Sequence, residues 1–136
     1  MKKALLEDIG LLILRVGAGA MILTHGFPKL MRFFVDEPIK FMDFMGLGSV
    51  ISLSLAVFAE FVCAILIMIG FKTRLATIPL VITMLTAALV VHAADPFGRK
   101  ELPLLYFLVF LSILIFGAGK FSIDGFSNQK SMYYKR

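Results

Sequence analysis

Four long apolar runs organise the sequence: Ile9 to Phe27, about Val50 to Ile69, about Leu75 to Val91, and Leu102 to Gly117. Each approaches the roughly 20 residues that cross a ~30 Å hydrocarbon core at about 1.5 Å of rise per residue. Hydrocarbon offers backbone groups no water, so such runs are predicted to be helices. The fourth is the shortest and is expected to borrow a turn at either end.

Polar punctuation sets the connections. "GFKTR" (Gly70 to Arg74) predicts a tight turn with Gly70 as a helix C-cap, which makes the second and third helices an antiparallel hairpin. "ADPFGRKELP" predicts a short loop in which Asp95 caps a turn begun by Pro96. The connection from Pro28 to Ser49 is the longest. Its "PIKFMDFMGLG" either lies as a short helix on the membrane surface or is a solvated loop with apolar anchors.

Composition supports this reading. The 136 residues suffice for one domain, are 60% hydrophobic and have a mean hydropathy of +0.93, far from a soluble chain. The fold class predicted is an all-α membrane protein, residues 1–136 forming one domain of four transmembrane helices in an antiparallel bundle. A cleavable signal is not expected, because Glu7 and Asp8 precede a long apolar run that no small-residue cleavage site follows. The net charge of +5 lies between the apolar runs and is read as membrane topology, with lipids and not nucleic acid as the partner. Lys2, Lys3, Lys72, Arg74, Lys120, Lys130, Lys135 and Arg136 fall on one side, and Lys29, Arg32, Lys40, Arg99 and Lys100 on the other. Eight against five places both termini in the cytoplasm.

Polar residues inside the runs are the candidate chemistry. Counting from Ile9, Arg15 lies roughly 9 Å deep, and counting from Val50, Glu60 lies roughly 15 Å deep. A lone charge at such depth costs at least ~2.5 kcal/mol. An Arg15–Glu60 ion pair between the first two helices is therefore expected, either as a working element or only as a register device. Ala18, Gly19, Ile22, Gly26 and Lys29 share the Arg15 stripe, and small residues let helices approach closely. Cys63 is the single cysteine, which excludes an internal disulfide; it reads as a small packing residue.

At the opposite membrane face His25, Lys29, His92 and Glu101 come from three helices. They form a ligand pocket or merely sit among headgroups. On a straight third helix His92 would oppose the Thr83, Thr86 and Ala87 face, so either Pro79 bends that helix or His92 lies past its end. Two His and a Glu suit a metal, and two His on separate helices suit a haem. No tight spacing such as HxxxH supports either, and neither is expected. In "GAGKFSIDG" Gly117 and Gly119 end the fourth helix, Lys120 meets its negative end, and Asp124 either answers Arg74 across the cytoplasmic face or is a solvated tail carboxylate.

The segment "LRVGAGAMILTHGFPKL" resembles the opening of DoxX-type membrane proteins. The resemblance continues through "AEFVCAILIMIGFKTRLA", with Glu60, Gly70, Thr73 and Arg74, through His92 and "ELPLL", and ends with "GAGKFSID" at Asp124. It implies a four-helix inner-membrane protein of bacteria, with relatives linked to thiosulfate:quinone oxidoreductases and to membrane complexes handling thiols. The function expected is a non-autonomous membrane subunit of quinone- or thiol-linked redox metabolism, working with oxidoreductase partner subunits or as a homo-oligomer. The alternatives are a small carrier or lipid/solute-binding protein using the same cavity, and a structural assembly factor.

Overall fold

The structure is a computed structural model that describes residues 2–127. Lys130, Lys135 and Arg136 of the basic-residue count lie outside them. The described residues form helices and no strand. Helix α1 spans Lys2–Met31, α2 Ser49–Ile69, α3 Thr73–Val91 and α4 Phe97–Phe116. The helices outrun the apolar runs at polar ends. α1 starts at Lys2, because Lys, Leu and Glu keep helical geometry beyond the oily stretch. α4 starts at Phe97, directly after Pro96. Helices α2 and α3 are long and apolar enough to cross a membrane.

Neither of those two helices is regular throughout. Phe58–Cys63 in α2 and Ala87–Val91 at the end of α3 are π-helical. Such wide turns occur frequently at functional sites. Gly70 ends α2 in the left-handed conformation (φ 72°), its N–H donating to the Ile67 carbonyl and that of Phe71 to Leu66. The stretch "PIKFMDFMGLG" is not helical. Met45, Gly46 and Gly48 take positive φ, which a right-handed helix excludes, and Asp43 closes the loop by accepting the Gly48 N–H at 2.8 Å.

The packing inverts the usual soluble arrangement. Ile13, Leu75, Leu89 and Ile115 are exposed, while Arg15, Glu60, Thr73 and Thr77 are buried among Ile22, Ala64, Ile67, Leu80 and Phe110. An apolar exterior around polar interior groups suits a hydrocarbon solvent. The register between α1 and α2 is fixed by two glycines. A Cβ at Gly19 would strike Met68, and one at Gly26 would strike the Glu60 carbonyl. The backbones meet there because no side chain separates them.

Candidate functional site

The register separates Arg15 from Glu60, so the expected ion pair does not form. Glu60 lies level with Gly26, eleven residues beyond Arg15 and about 16 Å away along α1. The depth count had set Ile9 and Val50 at opposite edges of one ~30 Å core, whereas α1 is slid along α2 by about two turns. Arg15, fully buried, donates from Nη1 to the Ile67 carbonyl at 3.2 Å and from Nη2 to the Phe121 carbonyl at 2.6 Å. It thus pins the chain after α4 to the end of α2.

Asp124 does not pair with Arg74 either. Its two carboxylate oxygens accept the backbone N–H groups of Lys72 and Thr73, each at 2.8 Å, and its own N–H donates to the Gly70 carbonyl at 2.9 Å. Lys72, left-handed and without a capping side chain, leaves the first N–H groups of α3 open, and Asp124 satisfies them from a distant segment. Arg74 instead donates to the Ile115 carbonyl at 3.1 Å, in the last turn of α4. Losing both acceptors in Asp124→Ala is expected to cost about 1–2 kcal/mol. Thermal unfolding in detergent checks this, and an unchanged midpoint would remove the capping role.

At the other end a cavity of about 220 Å³ opens between α1, α2, α3 and α4. It brings together His25, Lys29 and His92 from the expected cluster and adds Glu60, Arg99 and Tyr106. Glu60, almost fully buried, is held by the Lys29 ammonium, which reaches both carboxylate oxygens. The His25 ring stands edge-on to Tyr106 at 6.3 Å, and Tyr106 stacks on Phe110 at 5.8 Å. Ile22, Met84 and Leu102 supply apolar wall. Among the described residues no three His, Cys, Asp or Glu side chains come together as a metal site.

His92 reaches the cavity through the π turn. At an ordinary 100° per residue it would sit about 80° round from buried Met84. The wide turn, closed by the His92 N–H on the Ala87 carbonyl at 3.0 Å, takes that offset back, and His92 lies just past the helix end. Its Nδ1 is 2.7 Å from Asp95 Oδ2. The hydrogen bond from His92 holds the Asp95 carboxyl below its usual range against the opposing effect of burial, with lesser help from the charges of Arg99 and Lys100. Asp95 is therefore engaged with His92 rather than capping α4.

Glu101 does not join the cavity. α4 presents Arg99, Leu102, Pro103 and Tyr106 to it at helical spacing, which turns Glu101 outward to an exposed position. That same spacing is the signal that would have found Arg99 and Tyr106. Glu60 was singled out, but with the wrong cation, because the slide of α1 leaves no trace in the apolar pattern.

The sequence model of the DoxX family matches residues 10–93, and the chain belongs to that family. It is 28% identical over 120 residues to the putative oxidoreductase CatD of Bacillus subtilis (strain 168), covering 88% of this chain and 87% of that protein. It is 30% identical over 134 residues to the inner membrane protein YqjF of Escherichia coli (strain K12), covering 96% and 99%. No solved structure matches it. With its apolar exterior, this DoxX chain is a membrane protein.

Proposed function

We propose that this DoxX-family chain is a four-helix antiparallel transmembrane bundle of the bacterial inner membrane, with both termini in the cytoplasm, whose cavity binds the ring of a quinone as a non-autonomous part of an oxidoreductase. One observation carries the reading: the charged groups of the cavity are already paired. Lys29 is taken by Glu60, and Arg99 faces Asp95 at 3.9 Å, the same carboxylate that hydrogen-bonds the His92 ring at 2.7 Å. A site so balanced has little use for a charged solute, which favours a neutral ligand over an ionic cargo. Hydrogen-bonding capacity is left over at His25, Lys29 and Tyr106, beside the apolar wall of Ile22, Met84 and Leu102. A flat ring with polar oxygens at its ends suits that mixture, and about 220 Å³ accommodates a ring with its tail left in the lipid.

When bound, a quinone supplies reversible two-electron chemistry that none of these side chains has. His25, Lys29 and Tyr106 would orient it, and the apolar wall would exclude water. The relative named a putative oxidoreductase supports the redox association, and the relative named an inner membrane protein supports the location. The lone Cys63 leaves thiol–disulfide exchange to a partner subunit.

Organic extraction of the protein purified from native membranes tests the reading. A quinone is expected in the extract, and His25→Ala should lower its amount about tenfold while the chain still inserts. An extract free of quinone, with a redox-inert solute raising the melting temperature, would replace this reading with the carrier.

A further inference from the structure

We propose that Asp95 and His92 make the cavity selective for the reduced, hydroxyl-bearing form of the ring: Asp95 fixes the proton on His92 Nδ1, and Nε2 accepts a hydrogen bond from the ligand hydroxyl. This rests on the quinone-ring reading of the cavity and specifies which form it prefers. The geometry is direct. Asp95 Oδ2 lies 2.7 Å from Nδ1, and an ionised carboxylate only accepts, so Nδ1 carries the hydrogen. A neutral imidazole has one such hydrogen, which leaves the Nε2 lone pair free. His92 lines the cavity and Asp95 does not, so the nitrogen turned from Asp95 is the one available to the ligand.

The surroundings make that lone pair distinctive. Facing the cavity are His25 and Lys29 from α1, Glu60 from α2, and Arg99 and Tyr106 from α4. Lys29 and Arg99 only donate, the buried Glu60 carboxylate is occupied by Lys29, and His25 can turn either a donor or an acceptor to the ring, so among the described residues of the cavity His92 is the imidazole that a carboxylate holds as an acceptor. Lys100 is turned away, donating to the Ala93 carbonyl at 2.8 Å. A quinone carbonyl can only accept and gains nothing from Nε2. A quinol hydroxyl donates to Nε2 and still accepts from Lys29 or Tyr106. Asp95 is thus a positioning residue and His92 the group that touches the ring.

Two measurements decide this. In detergent, ¹⁵N-histidine NMR, assigned with His92→Gln, is expected to show His92 as the Nδ1–H tautomer. Titration with tetramethylhydroquinone and with its dimethyl ether, which has no hydroxyl hydrogen, is expected to show about tenfold tighter binding of the first. In Asp95→Asn the amide can offer an N–H to Nδ1, which favours the opposite tautomer. The preference should then fall to near unity while the ether binds as before; a merely structural role would weaken both compounds alike. An Nε2–H tautomer in the parent, equal binding of the two compounds, or a preference that survives Asp95→Asn would each overturn the proposal. Equal binding leaves the ring site standing, whereas no binding of either compound removes the ring site as well. Should Asp95→Asn fail to fold, the tautomer and the parent's preference decide alone.

Discussion

Lys29→Met is expected to destabilise the protein by about 3 kcal/mol at neutral pH, and Glu60→Gln by distinctly less. The asymmetry comes from where each partner sits. The Glu60 side chain is 4% exposed and the Lys29 side chain 26%. Without Lys29 a nearly fully buried carboxylate is left without its partner, and a buried pair broken on one side costs about 3–5 kcal/mol. The orphaned Glu60 has one escape, which is to take up a proton, and this puts the loss at the lower end of that range. Glu60→Gln leaves an ammonium that can turn toward the cavity mouth and water, so less is lost. The double variant should be milder than the sum of the singles by about 1–2 kcal/mol, since the two side chains touch. Denaturant unfolding in detergent micelles measures the cycle, and strict additivity would show that the pair carries no coupling.

The extents of α2 and α3 were legible because a membrane chain writes its apolar stretches into the sequence, whereas α1 and α4 run past their apolar runs at polar ends. Gly70 as the end of α2 was legible too, since the turn demands a positive φ that glycine supplies. What escaped was register. Depth counted from the ends of two runs assumes that those ends lie at opposite edges of one core, and it paired Arg15 with Glu60. The slide of α1 is set by where Gly19 and Gly26 meet the α2 backbone, and glycine carries no hydrophobic signal. The face of His92 depended on a π turn, which inserts its extra residue without any marker in the sequence. Asp124 was assigned to Arg74 by sign of charge alone, but the open N–H groups of Lys72 and Thr73 claimed it, an attraction visible only once α3 has begun with an uncapped turn. Likewise Glu101 was grouped with the cavity by height, and the helical face of α4 turned it out.

The glycines of α1 give the second large effect, and they make the register testable. Gly17 has open space where a Cβ would go, so Gly17→Ala should be neutral or stabilising by up to about 1 kcal/mol through helix propensity. Gly26 sits on the same helix with no such room. Its Cβ would fall 2.8 Å from the Phe61 nitrogen and closer still to the Glu60 carbonyl group. These are backbone atoms and cannot rotate away, so α1 and α2 must separate. Overpacking of this kind costs about 1–3 kcal/mol, which puts the two alanine variants about 1–4 kcal/mol apart. The separation would fall at the level where Lys29 grips Glu60. Gly26→Ala should therefore also loosen the ion pair and lower ligand retention in the cavity, whereas Gly17→Ala should leave retention unchanged. Thermal unfolding of the two variants, followed by extraction of whatever ligand each retains, reads both consequences. Equal stability would mean that α1 and α2 do not meet at Gly26, and the placement of Glu60 in the cavity would fall with that contact.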